Sequence, residues 1–173
     1  LAAAEKSAGW KLLFDGQSLG GWRGYTLKGP PEAGWKVEDG LLKTVAKVKG
    51  KELITEQKFG DFELSWEWRL AKGANNGVKY FVTEQRPRAP GHEYQMIDET
   101  DAKWATLHAN AKTASFYEVL APAADKPLRP AGEWNSSRIV VRGKVVEHWL
   151  NDRKVLTYEL GSPEVKAGLA KSK

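Results

Sequence analysis

Phe62-Glu63-Leu64-Ser65-Trp66-Glu67-Trp68-Arg69-Leu70 is the stretch on which the fold turns. Apolar and polar residues alternate without a break. An extended backbone therefore puts Phe62, Leu64, Trp66, Trp68 and Leu70 on one face and Glu63, Ser65, Glu67 and Arg69 on the other. A helix would scatter the apolar set around its circumference, whereas a strand presents it as one row to be buried against a second layer.

The same period of two recurs outward in both directions, and Gly, Pro, Asn or Asp closes each segment within about ten residues. Upstream, Trp35-Lys-Val-Glu-Asp-Gly-Leu-Leu-Lys43 predicts a hairpin, because Asp39-Gly40 suits the two left-handed positions of a type I′ turn. Downstream, Gly73-Ala-Asn-Asn-Gly77 predicts a turn leading into a strand over 78–83. Pro87 and Pro90 bound a loop, Glu93 to Ile97 predicts the next strand, and Pro122 to Pro130 another loop. Arg138 to Arg142 and Val145 to Leu150 flank Gly143-Lys144 as a second hairpin. This places Ile139, Val141, Val146, His148 and Leu150 on one face and Arg138, Arg142, Glu147 and Trp149 on the other. Asn151-Asp152 turns the chain into a strand over 154–160. Only the tail reads as helix, with Ser162 as cap, Pro163 in the first turn and Glu164 at the N-terminus. The expected architecture is all-β, a two-sheet antiparallel sandwich forming one domain over 9–173. Residues 1–8, which open on the small apolar run Leu1-Ala-Ala-Ala, are expected to be a frayed terminus or the remnant of a signal peptide.

Composition excludes several classes. Twenty-seven Lys and Arg against 22 Asp and Glu give a net charge of +5, but the signs are interspersed. The basic patches at Lys43 to Lys51 and Lys166 to Lys173 lack the interleaved aromatics of a nucleic-acid face. No cysteine is present, which removes disulfides, thiolate metal sites and cysteine nucleophiles. No apolar run has the length of a membrane span.

Functional groups are densest at Glu93, Gln95 and Asp98, beside His92. On a strand Glu93 and Gln95 share a face, and Asp98 joins them only if a bulge adds a residue. The spacing resembles the E-x-D-x-x-E strand of sandwich-fold glucanases. Here Gln95 stands for the middle Asp and Asp98 for the last Glu, which argues against the standard two-carboxylate retaining mechanism. The alternative reading makes Glu93 the partner of Arg69 or Arg138 in a surface ion pair. His148 reads either as a hydrogen-bonded core residue or as a base tuned by burial. Trp22, Trp104, Trp134 and Trp149 lie near turns or on polar faces, where an indole can stack on a sugar ring. Histidine spacing gives no transition-metal motif; a calcium site of carboxylates and carbonyls would leave no separate signature.

A set of short motifs occurs in order: Leu13-Phe-Asp-Gly-Gln-Ser-Leu-Gly-Gly-Trp22, Trp35-Lys-Val-Glu-Asp-Gly-Leu41, Leu53-Ile-Thr55, Phe59-Gly-Asp-Phe-Glu-Leu64, Asn75-Asn-Gly-Val78, Glu93-Tyr-Gln-Met-Ile-Asp98, Gly132-Glu-Trp-Asn135 and His148-Trp-Leu-Asn151. Together they resemble the 3-keto-disaccharide hydrolase domain family. The resemblance implies the concanavalin A-like lectin/glucanase fold, a jelly roll, in bacterial secreted or periplasmic proteins acting on glycosides already oxidised at carbon 3. The ketone acidifies the C2 proton, so one base suffices: it forms an enolate that expels the C1 substituent, and water adds back. Carried over by motif position, the resemblance implies Glu93 as base or metal-orienting carboxylate, with His148 competing for the role. It implies Gln95, Asn75, Arg69 and Asp98 as substrate binders and Tyr117 and Trp149 as walls. No cofactor is called for, and a divalent cation such as calcium is left open. It also implies a further strand beyond Lys173, carrying Gln-x-His and Phe-Arg-Asn motifs, ahead of which the 173 residues are expected to be truncated. The rival is a non-catalytic carbohydrate-binding module on the same fold, which would show a flat aromatic strip where an enzyme holds Glu93 in a pocket with a perturbed pKa.

Overall fold

The computed structural model describes residues 1–48, 52–86 and 91–172. The loop bounded by Pro87 and Pro90, and the ends of the two basic patches, at 49–51 and 173, lie outside the described residues. Contacts group the chain into two compact units, Leu1–Lys58 with Glu84–Ala89 and Phe59–Thr83 with Pro90–Lys173. The single domain read from sequence over 9–173 spans both.

In the first unit, α1 (Ala3–Ser7) lies in the segment expected to be frayed and buries no residue. β1 (Trp22–Gly24) is followed by β2 (Trp35–Glu38) and β3 (Leu41–Thr44), the expected hairpin. Its turn has φ of 55° at Asp39 and 74° at Gly40, the two left-handed positions that the dipeptide supplies. β4 (Leu53–Thr55) pairs antiparallel with β1. Two contacts tie the returning residues to this unit: a two-pronged Arg23–Glu84 pair at 2.7 and 2.6 Å, and the buried Tyr25 hydroxyl donating to the Arg86 carbonyl at 2.7 Å.

The second unit holds the long strands. β5 (Phe62–Trp68) covers the deciding stretch. It is followed by β6 (Asn75–Tyr80), β7 (His92–Ile97), β8 (Asn135–Arg142), β9 (Val145–Leu150) and β10 (Arg153–Glu159). β10-β9-β8-β5 form one antiparallel sheet, and β6 and β7 pair as another. The inner faces bury Tyr94, Met96, Ile139, Val141, Val146 and Leu150 in one cluster, each large side chain contributing roughly 1.5–3 kcal/mol. The layers are pinned by a polar contact at Ser137. Its hydroxyl receives the Trp68 indole N–H at 2.8 Å and lies 2.8 Å from the Tyr94 hydroxyl, which donates to the Trp149 carbonyl at 3.1 Å. This is the all-β, two-layer antiparallel arrangement expected from the alternation.

The β8–β9 hairpin has the predicted register, with Ile139 opposite His148 and Val141 opposite Val146. Asn151 and Asp152, at φ of 44° and 63°, form the next turn. Helix α2 (Pro163–Lys171) begins as read: the Ser162 hydroxyl caps the Val165 N–H at 3.3 Å and Val165 is buried.

One expectation fails. Asn75-Asn76-Gly77 is strand and not turn; the chain reverses before it, at Ala71 to Gly73. Asn and Gly favour turns only where nothing else claims their backbone, and here their strand pairs residue for residue with β7.

Candidate functional site

The β6–β7 ladder runs unbroken from Asn75 opposite Ile97 to Tyr80 opposite His92. Alternation sends Val78, Tyr80, His92, Tyr94 and Met96 into the core, leaving Asn75, Gly77, Lys79, Glu93, Gln95 and Ile97 on the other face. The free edge of β7 is covered by 113–117. Ala114 N–H donates to the Gln95 carbonyl at 2.8 Å and Tyr117 N–H to the Glu93 carbonyl at 3.0 Å, and the Thr113 hydroxyl bonds both N–H and C=O of Ile97. Phe116 bridges to Tyr94, so Ser115 and Tyr117 fall on the Glu93 face. Glu99 holds this segment by accepting from Thr113 N–H at 2.9 Å while pairing with the largely buried Lys126 at 3.0 Å.

Glu93, Gln95, Asn75 and Tyr117 are thus brought together. The Glu93 carboxylate makes no hydrogen bond or ion pair among the described residues. Arg138, one of its expected partners, pairs with Glu63 at 2.9 Å, and the other, Arg69, lies over the Trp134 ring at 5.0 Å. Burial pushes the Glu93 carboxyl above the ordinary glutamate range; Lys79 opposes the rise and Glu118 adds to it. The Tyr117 phenol is raised as well, by burial and then by Glu118 and Glu93.

Gly77 makes this placement possible. A Cβ built there would collide with Glu93 Oε1, so the carboxylate occupies the space that any side chain at 77 would fill. Gly77→Ala is expected to drive the carboxylate towards Lys79 and solvent and to lower its pKa towards the ordinary value. Carbon-13 NMR titration of the Glu93 carboxyl checks this, and an unchanged titration would show that the glycine does not set its position.

The other candidates lie elsewhere. No bulge interrupts β7, so Asp98 does not join Glu93 and Gln95. It accepts instead from Gly73 N–H at 2.8 Å and from Thr100, and these bonds hold its pKa below the usual carboxylate value. Asp98 is a turn-fixing residue on a cavity of about 170 Å³ that Trp68, Leu70, Ile97, Leu128 and Arg129 help to line and that does not take in Glu93. Arg69, at the end of β5, is occupied by Trp134. Trp149 is on the face of β9 turned away from the core, its ring 4.2 Å from the Arg138 guanidinium and its N–H on Glu147. Trp104 likewise carries the Lys103 ammonium at 4.7 Å, and Trp22 gives its N–H to the Leu13 carbonyl. Cations over three of these four indoles are unlike a flat aromatic strip offered to sugar.

His148 is fully buried among hydrogen-bonding rings. A carbonyl only accepts, so Nδ1 donates to Ala114 O at 2.9 Å; Nε2 of the neutral ring then accepts from the Tyr80 hydroxyl at 2.7 Å. Tyr80 oxygen accepts from the Tyr158 hydroxyl at 2.6 Å, and Tyr158 from His92 Nδ1–H at 2.8 Å. Burial lowers both imidazoles to about 4, and both ring nitrogens of His148 are engaged. This is the hydrogen-bonded core residue of the two readings open at the start, on the opposite side of β7 from Glu93.

Sequence reasoning missed Lys79 and Ser115, which reach the Glu93 face only through strand register, and Glu118, which acts on Glu93 through space. Ser115 is completely buried and its hydroxyl has no partner among the described residues. Nor do the described residues gather three or more His, Asp or Glu in a group able to hold a metal ion. The described residues around Glu93 therefore do not fit a carboxylate cage for such a cation.

The described residues of the second unit thus define the class as an all-β, two-layer antiparallel fold with an unpaired, partly buried carboxylate on a polar sheet face. The chain belongs to the 3-keto-alpha-glucoside-1,2-lyase-like domain family, which it matches over residues 9–172. It is 34% identical over 175 residues to a 3-keto-disaccharide hydrolase of Bacteroides thetaiotaomicron. That match takes in 88% of this chain and 59% of the relative, so the chain spans about three-fifths of that protein's length. Among solved structures it is similar, at a TM-score of 0.88 and 32% identity, to a Parabacteroides distasonis protein provisionally assigned as a glycosyl hydrolase, covering all of this chain and 82% of the other. A second such protein of the same organism matches at 0.67 and 28%, covering 80% and 72%.

Proposed function

We propose that this chain is the catalytic domain of an enzyme that cleaves 3-keto-glycosides, with Glu93 as the general base at C2. The observation that carries the reading is the Glu93 carboxylate itself: unpaired, raised in pKa by burial, and held over Gly77 on a polar face. A structural carboxylate would be matched by a cation, as Glu63 is by Arg138. A base must be free, and a raised pKa brings its proton affinity closer to that of the carbon acid it serves.

Gln95 beside it supports elimination over displacement, since a neutral amide can orient a sugar hydroxyl but cannot serve as the second carboxylate of a retaining or inverting pair. Tyr117, and Asn75 next beyond Gly77 on the same face, add further hydrogen-bonding groups. The Bacteroides thetaiotaomicron relative, a 3-keto-disaccharide hydrolase, supports the same class of substrate.

Comparison of methyl 3-keto-α-glucoside with its unoxidised parent tests the reading. Turnover is expected for the ketone, with loss of the C2 proton, and none for the parent. Cleavage of both at comparable rates would replace it with an ordinary glycosidase mechanism.

A further inference from the structure

Lys79 stands directly across from Glu93 in the β6–β7 register and on the same face. Opposed Lys and Glu side chains on a sheet ordinarily close on each other as a cross-strand ion pair. These two do not: among the described residues the Lys79 ammonium makes neither an ion pair nor a hydrogen bond. The carboxylate leans along the strand instead, over the diagonal neighbour Gly77, where the missing side chain leaves room. The ammonium still acts on it through space, favouring the charged carboxylate against the effect of burial. Tyr117 and Glu118, on the segment covering the other edge of β7, are the further titratable groups acting there. A cation and a carboxylate held side by side but apart leave a place between them for two neighbouring atoms of a substrate, one to give up a proton and one to take on charge.

We propose that Lys79 is the cation that receives the negative charge released when Glu93 removes the C2 proton, holding O3 of the sugar as the enolate forms. The assignment rests on Glu93 being the base. The C2–H bond breaks and its proton passes to Glu93; its electron pair forms C2=C3, and the carbonyl π pair moves onto O3 beside Lys79. As C3=O re-forms, the pair makes C1=C2 and the C1–O bond breaks. The departing oxygen takes the proton held on Glu93, so alcohol and enone leave with the base restored. Water then adds its oxygen to C1 and a proton to C2, completing hydrolysis with no reactant other than water. A cation aimed at developing charge acts on the barrier more than on binding. Lys79 is exposed, so its replacement leaves the core untouched.

The test follows exchange of the C2 proton of methyl 3-keto-α-glucoside in deuterated water, together with cleavage, for Lys79→Met, Lys79→Arg and Glu93→Gln. Lys79→Met is expected to slow both by about a hundredfold with little change in KM, and Lys79→Arg to recover part of the loss. The acid limb of the kcat/KM profile should also move to higher pH in Lys79→Met, because the carboxylate has lost the charge that favours ionisation. A Lys79→Met protein that exchanges and cleaves at the wild-type rate while Glu93→Gln is inactive would overturn the role of Lys79 and leave the base in place. Full activity in Glu93→Gln would overturn the base assignment and the role of Lys79 with it.

Discussion

Replacing Glu93 by Gln should abolish cleavage of a 3-keto-glycoside while making the folded protein more stable at neutral pH. The amide keeps the shape that fits over Gly77 but cannot accept the C2 proton, so kcat is expected to fall by at least about a hundredfold, the scale of a lost general base. The stability effect has the opposite sign. The folded-state pKa of Glu93 is raised above its unfolded value by burial. Its favourable contribution is therefore complete below the unfolded value near 4.5 and is lost as pH rises through the folded value. At pH 7 the buried charge is a cost that the amide removes. Urea unfolding should show Glu93→Gln more stable than wild type at pH 7 and indistinguishable from it near pH 4. A variant that lost activity and stability together at pH 7 would mark Glu93 as a structural residue.

Acid should unfold the second unit in a window set by its histidines. His148 and His92 both have pKa values lowered from 6.5 to about 4, by burial above all. The unfolded chain takes up these protons first as pH falls, so stability is complete above about 6.5 and is lost progressively down to about 4. For the fully buried His148 the difference is worth about 3 kcal/mol, a large share of the roughly 5–15 kcal/mol that holds a domain together. The surface carboxylates Glu38 and Glu84, lowered to about 2 by Lys and Arg partners, lose their contributions at more acid pH, between 4.5 and about 2. Glu93 runs the other way and partly offsets the histidines. The urea midpoint should therefore fall steeply between pH 6.5 and 4.5. His148→Gln should be weaker at pH 7, by roughly 1–3 kcal/mol for the disturbed bonds, but should show a shallower acid slope. Equal slopes in the two proteins would remove His148 from the explanation.

The layers and hairpins were legible because burial enforces period two wherever one face of a strand meets a core. Phe62 to Leu70, Asp39-Gly40, the β8–β9 faces and the Ser162 cap are each decided by a few neighbouring residues. The site was legible only as far as one strand reaches. Glu93 and Gln95 share a face by counting, but Lys79 and Ser115 join them through pairing with residues far along the chain, which no local pattern records. The reading of Asn75-Asn76-Gly77 as a turn failed for the same reason. Local preference gave way to a partner strand, and the glycine makes room for the diagonal Glu93 carboxylate rather than forming a bend. Asp98, Arg69 and Trp149 are polar or aromatic side chains near the right motif whose partners lie on neighbouring strands and turns.

The chain of rings in the core has a direction. Every donor from His92 through Tyr158 and Tyr80 to His148 points the same way, because its last acceptor is the backbone carbonyl of Ala114, which cannot be turned into a donor by any substitution. Ala114 belongs to the same short segment that pairs with β7 beside Gln95. The tautomers of two histidines and the alignment of β7 are therefore fixed by the backbone of one residue, through its C=O and its N–H. Residues in this column should tolerate exchange only as a set that preserves the direction of donation, so that His148 and Tyr80 change together across related proteins while either alone stays constant.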